Sequence, residues 1–199
     1  MSARRTSNRD RLLQAAGEML YRQGYNATSV DDIVQAAGVS KSNFYYHFPS
    51  KEDLGIAVLS VRRDDLEDLL SRTLRNRDVL PARRLATFLS DLLDHQESDM
   101  ERRGCPFGNL VAEMTEHSER IRCFLYGLFA DLTGEMARVI REGQLTGEFR
   151  ADLDASEIAT LLVQAIQGMH LMLKCERDAR SARTTGKVLI ELLAATPAP

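Results

Sequence analysis

Thr28-Ser29-Val30-Asp31-Asp32-Ile33-Val34-Gln35-Ala36-Ala37-Gly38-Val39-Ser40-Lys41-Ser42-Asn43-Phe44-Tyr45-Tyr46-His47-Phe48-Pro49-Ser50-Lys51-Glu52 is the stretch on which the fold turns. Its spacing predicts two short helices joined by a glycine turn, with another helix starting directly after the aromatics. Ser29 is placed to cap the first, and Asp32, three residues on, suits the positive helix end. Gly38 stops that helix at a left-handed position which glycine alone adopts cheaply. Ser40 caps the second helix, and Val39 with Phe44 makes a hydrophobic staple that fixes the chain's entry. Phe44 and Phe48 stand one turn apart and share the inward face. Pro49 ends the helix, and Ser50 caps the next one with Asp53 at the capping-box position. A helix-turn-helix of this kind, over about residues 29–48, lays its second helix in the major groove of DNA.

The outward face of that second helix carries Lys41, Ser42, Asn43, Tyr45, Tyr46 and His47. These are a charged donor, a small hydroxyl, an amide able to pair with adenine, and rings for thymine methyls and phosphates. Lys41 and Asn43, near the helix start, are the choices for base readout, whereas Tyr45 and His47 suit phosphate. Lys51 with the free amides of the following helix makes a second phosphate anchor, and Thr28 a third. Core packing is the competing reading for each aromatic, but Phe44 and Phe48 already supply the inward contacts. A solvated surface is the competing reading for Lys41 and Lys51. Both sit in a first turn, where a cation opposes the helix dipole and so suggests another use.

Working outward, the whole chain reads as all-α, with about nine helices and no alternating Val/Ile/Thr segment. A first helix spans about Asn8 to Gln23, capped by Ser7 and stopped by Gly24, with Leu12, Ala16, Met19 and Leu20 as its stripe. The helix after Ser50 runs to about Arg75, and its charge beyond Val61 suggests an exposed connecting rod. These elements predict a compact head over 6–66 and a helical second domain over 67–196. Five helices are expected in the latter: Pro81 to about Gln96, a short one after Gly104-Cys105-Pro106, Ser118 to about Glu142, Ala155–Cys175, and about Ala182 to Ala194.

Composition agrees with that division. The 199 residues carry a net charge of -3, with 44% hydrophobic and 28% charged residues, which supports a real core and argues against disorder. Through Ser50 six basic residues face four acidic ones, Arg4 and Arg5 among the former. The remainder has twenty basic and twenty-five acidic residues. A mildly basic head on an acidic body suits a DNA reader attached to a different kind of domain. Cys105, Cys123 and Cys175 form neither a disulfide framework nor a zinc pattern. Their odd number and the lack of a signal peptide point to a cytoplasmic protein. The apolar run from Ile158 to Leu173 is broken by Thr160, Gln164, Gln167 and His170, so no membrane span is expected. Neither a metal site nor a cofactor is indicated. There is no His-Glu-x-x-His, Gly-x-Ser-x-Gly or phosphate loop, which speaks against an enzyme. The histidines are scattered, and Glu113 with His117 reads as a surface pair.

The head resembles the DNA-binding domain of the TetR family of bacterial repressors. The resemblance rests on Thr28, on Asp32-Ile33-Val34 and on Ala37-Gly38-Val39-Ser40. It continues through Phe44-Tyr45-Tyr46-His47-Phe48 and Ser50-Lys51-Glu52-Asp53-Leu54. It covers about the first third of the chain. Asn43 with Ser42 departs from the Gly followed by Thr or Ser that many members carry, which leaves the operator sequence open. The resemblance implies an all-helical homodimer, a palindromic duplex operator, and a second domain that binds a small molecule and thereby releases DNA. It also implies that the helices at about 155–175 and 182–194 pair with their mates in a four-helix interface. The first of these is apolar almost all round, so it needs cover on two sides; a central place in a monomer is the alternative.

An apolar effector pocket is expected among Phe88, Leu92, Phe107, Leu110, Met114, Phe124 and Leu128, with Gln167 and His170 as polar anchors. Plain core packing is the competing reading for each. Cys105 follows Gly104, precedes a helix and has Arg102 and Arg103 upstream, a setting that stabilises thiolate. Segments similar to Gly-Cys-Pro-Phe-Gly-Asn-Leu occur in a subgroup of the family, some of whose members sense electrophiles or oxidants through a cysteine. Two readings therefore stand: a repressor released by a small apolar effector, or one released by modification of Cys105. A small buried side chain is the third possibility for that cysteine.

Overall fold

The computed structural model describes residues 7–98 and 103–195, the side chains of 95–98 excepted. Arg4, Arg5 and Arg102 lie outside the described residues, as do the outermost positions of the two expected domains, Thr6 and Thr196. Among the described residues there are nine α-helices and no strand. They are α1 (Asn8–Gln23), α2 (Val30–Ala37), α3 (Lys41–His47), α4 (Lys51–Arg72), α5 (Pro81–Ser98), α6 (Pro106–Met114), α7 (Glu119–Leu145), α8 (Ala155–Glu176) and α9 (Arg180–Leu193). The all-α expectation holds, and the caps lie where the serines put them. Ser7 and Ser29 each form a full capping box, with Asp10 and Asp32 as the third helical residues. α4 stops at Arg72, one turn short of the expected Arg75.

Two compact units result. Among the described residues, one holds those up to Asp64 together with Pro106–Leu125; the other holds those from Asp65 to Cys105 and from Tyr126 onward. Residues 106–125 thus fold with the head, although they fall within the 67–196 stretch expected to form the second domain.

In the first unit α1, α2 and α3 pack against one another pairwise. Leu12, Ala16, Ile33, Phe44, Phe48 and Leu54 are buried there, as are Phe107, Leu110, Met114, Ile121 and Leu125. Each fully buried Leu, Ile or Phe is worth about 1.5–3 kcal/mol against exposure.

The second unit has the larger apolar core. Leu85, Phe88, Met136, Ile140, Ile158, Leu162, Ile166 and Leu173 lie at its centre. α9 packs on both α5 and α8. α8 is not covered all round: Leu161, Leu171 and Met172 are exposed, as are Val188 and Leu192 on α9. By length and composition α8 alone among the described helices is apolar enough to cross a membrane, but its inner side chains belong to this core.

A ladder of charges completes the second unit. Arg75 bonds Glu67 at 2.7 Å and Glu135 at 2.9 Å. Arg138 bonds Glu135 at 2.7 Å and Glu142 at 2.9 Å. Arg84, almost wholly buried, pairs with Glu142 and donates to the Leu74 carbonyl at 3.1 Å. Arg138 reaches the same carbonyl at 3.5 Å. Burial alone would raise the Glu142 carboxyl, but the hydrogen bonds from Arg84 and Arg138 outweigh it and leave the group below its ordinary range.

Candidate nucleic-acid interface

α3 is short, so its ends and its inward ring decide its orientation. Gly38 sits at φ 62°, ψ 41°, and its amide closes α2 through the Val34 and Gln35 carbonyls. A side chain there would be strained, and its Cβ would stand 2.6 Å from the Arg11 guanidinium. That guanidinium donates to the Gly38 carbonyl at 3.0 Å, tying α1 to the turn. The Ser40 hydroxyl accepts the Asn43 amide at 3.2 Å, capping α3. Phe44 is fully buried and Phe48 nearly so, with the Arg9 guanidinium 5.5 Å above the Phe48 ring.

With those rings inward, Lys41, Ser42, Tyr45 and Tyr46 face out. Lys41 and Ser42 are exposed, Tyr45 is half exposed and Tyr46 is 82% exposed. Asn43 and His47 are half buried. The Tyr45 ring meets Phe44 edge-on at 5.1 Å, and Tyr46 meets His47 in the same way at 4.9 Å. A tyrosine so exposed contributes nothing to the core, which leaves its ring available to a partner. The Asn43 Oδ1 is buried without a hydrogen-bond partner, so the amide expected to read bases does not present this oxygen on the outward face. Lys41 pairs with Asp31 of α2 at 2.8 Å, which raises its pKa through the hydrogen bond and the charge of Asp31.

Two expected phosphate anchors are engaged elsewhere. Thr28 is fully buried; its hydroxyl donates to the Gly24 carbonyl at 2.7 Å and accepts from Gln23 at 3.2 Å. It locks the turn between α1 and α2 instead of facing solvent. The Lys51 ammonium donates to the Tyr25 carbonyl at 2.6 Å and lies 4.1 Å from the Tyr25 ring centroid. Burial lowers its pKa, with the Glu113 carboxylate pulling the other way. Lys51 is therefore a strut between α4 and the α1–α2 turn. Glu113 does not stand as a surface partner of His117; it accepts the Asn26 amide at 3.0 Å.

The residues expected to line a pocket divide between the units. Phe107, Leu110, Met114 and Phe124 belong to the first, where the first three are buried; Phe88, Leu92, Leu128, Gln167 and His170 belong to the second. His170 is 5% exposed, and its Nδ1 has no well-placed hydrogen-bond partner. Burial pushes its pKa down to about 4, which the nearby Ile166 carbonyl only partly offsets. Cys105 is half buried directly before α6, next to Gly104. Cys123 is exposed, and its Sγ lies 3.4 Å from Glu119, which raises its pKa. Cys175 is exposed as well.

Comparison with known proteins bears directly on this geometry. Residues 12–58 match the family model for bacterial regulatory proteins of the tetR family, and residues 81–189 match a tetracyclin repressor-like C-terminal domain. The chain is 34% identical over 174 residues to the HTH-type transcriptional repressor DhaR of Mycobacterium sp. (strain GP1), covering 87% of this chain and 86% of that protein. It is 32% identical over 165 residues to the transcriptional regulator AcuR of Cereibacter sphaeroides, covering 83% and 75%. The crystal structure of regulatory protein TetR from Rhodobacter sphaeroides superposes with a TM-score of 0.86 at 28% identity, covering 92% of this chain and 97% of that one.

Proposed function

The chain belongs to the TetR family of bacterial transcriptional regulators, and from that premise we propose that it is a repressor whose α3 reads the major groove and which a small apolar effector releases from its operator. The outward set of Lys41, Ser42, Tyr45 and Tyr46 over a buried Phe44–Phe48 pair carries this reading. Lys41 and Asn43 meet base edges near the start of α3, while Tyr45, Tyr46 and His47 meet thymine methyls and phosphates. Lys41 must exchange Asp31 for DNA on binding.

One seven-residue helix reads too little sequence to be selective, so two copies act on a palindromic duplex. The exposed Leu161, Leu171 and Met172 of α8, with Val188 and Leu192 of α9, are the surface on which the homodimer forms. The effector lies among second-unit residues: Phe88, Leu92 and Leu128 as apolar wall, with Gln167 and the neutral His170 imidazole as polar partners. It favours an arrangement in which the two α3 helices no longer fit successive grooves, so affinity falls.

The test is binding to a duplex selected from a random pool by the parent protein. Asn43→Ala and Tyr46→Ala should each weaken it by about tenfold or more, with Asn43→Ala also relaxing sequence preference. Parent-like binding by both would refute the assignment of α3. Cys105→Ser separates the thiol alternative: if an electrophile such as N-ethylmaleimide releases the parent from DNA and not the variant, release runs through Cys105 and the effector reading fails.

A further inference from the structure

We infer that Arg120, Ser118 and Glu113 are positioning residues for DNA reading, forming a polar clasp that α6 and the start of α7 close on the helix-turn-helix. All three lie outside the residues 12–58 matched to the DNA-binding family model and inside those matched to the C-terminal one, yet they fold within the first unit. The inference rests on the reading of α3 given above.

The Arg120 fork spans two consecutive carboxylates in the first turn of α4. Nη1 donates to Glu52 Oε2 and Nη2 to Asp53 Oδ1, each at 2.9 Å. The Ser118 hydroxyl, nearly buried, donates to the other oxygen of Glu52 and accepts the Ile121 amide at 3.1 Å, so the residue that caps α7 also holds α4. Asp53 accepts the Ser50 hydroxyl at 2.7 Å in the cap that starts α4. On the other side of the same turn, Lys51 holds the Tyr25 carbonyl. Glu113 completes the ring by accepting the Asn26 amide. Its carboxylate occupies the space against Gly24, where a Cβ would come within 2.5 Å of Oε1 at a φ of 91°.

The consequence for α3 follows from chain length. Only Phe48, Pro49 and Ser50 separate the end of α3 from the first turn of α4. Whatever sets the direction of residues 51–53 therefore sets the tilt of the helix that must enter the groove. Exposed ion pairs add little to folding stability. Reading bases, in contrast, needs side chains held to within about half an ångström, so a clasp of this kind acts on recognition far more than on stability. α7 is one uninterrupted helix from Glu119 to Leu145, beginning in the clasp and continuing into the second unit.

The experiment compares two DNAs, the duplex selected by the parent protein and one of random sequence, using the full chain. Arg120→Ala should lower affinity for the selected duplex by about tenfold and for the random duplex by less than about twofold. Arg120→Lys, which keeps the charge and loses the fork, should fall between parent and Arg120→Ala. Glu113→Ala should lower selected-duplex affinity by about threefold. Glu52→Gln combined with Arg120→Ala should lose less than the product of the two single losses, since the two changes share the Arg120–Glu52 contact. Equal losses on both duplexes, or an Arg120→Lys protein that binds like the parent, would reveal a charge or folding effect and overturn the inference. Parent-like binding by Arg120→Ala while Asn43→Ala is weakened overturns it and leaves the α3 assignment standing. Parent-like binding by both means that the α3 assignment itself has failed.

Discussion

The two units of this chain are held together by different means. In the first, short helices start at serines, and the caps of α1, α2 and α3 are completed by residues three positions away. Its core is a small set of side chains around Phe44. In the second, long helices share a broad apolar core, and its polar order comes from arginines and glutamates far apart in sequence. A reading unit must keep much of its surface for DNA, so local signals and a clasp replace bulk burial. A unit with no such demand can devote whole helix faces to packing.

The largest test of that contrast is Phe44→Ala. A fully buried ring in a small core leaves a cavity that little can refill, and the loss should be about 3–5 kcal/mol. Chemical denaturation followed by helicity should show the first unit unfolding early while the second persists. A single shared transition with an unchanged midpoint would break the comparison.

A second test acts on the other unit through acid. The buried His170 has a folded pKa of about 4 against an ordinary value of 6.5. A depressed value means that the unfolded chain binds the proton more tightly, so the associated stability is present above pH 6.5 and drains as pH falls towards 4. At pH 5 the deficit should be about 2 kcal/mol, seen as a lower denaturation midpoint that His170→Gln largely removes. Parent and variant with the same profile between pH 7 and 5 would show that the imidazole is not held neutral by its surroundings.

The smallest effect sharpens the account of local signals. Ser29→Ala removes the α2 cap, whose hydroxyl accepts the Asp32 amide at 3.1 Å, and should lower stability by about 1 kcal/mol in a thermal melt. A loss several times larger would mean that Ser29 supports more than its own helix end.

The same contrast explains what could be read from the sequence. The boundaries of α1, α2 and α3 and the inward place of Phe44 and Phe48 were legible because each depends on residues within one or two turns. The outward place of Lys41, Ser42, Tyr45 and Tyr46 followed by default once the two inward rings were known, whereas the half-burial of Asn43 and His47 did not. The contact of Lys51 could not be read from the sequence because its partner carbonyl is 26 residues away. Glu113 finds its amide partner 87 residues away and Arg120 finds Glu52 at 68, distances over which periodicity carries no information. Thr28 looked like a solvent-facing residue before a helix, and only the fold shows that its hydroxyl is taken by Gly24. On α8, hydropathy marked an apolar helix but could not say that Leu161, Leu171 and Met172 would remain uncovered.

The hold of Arg84 on the Leu74 carbonyl, two residues past the end of α4, makes the turn that follows the helix a detent. A forked donor needs its acceptor in one place: the next carbonyl on the same side of a helical turn is about one turn, or 5.4 Å, distant. A shift of half that distance would take from the buried Arg84 one of its two partners where there is little water to replace it. This turn therefore rests in its notch or jumps clear of it.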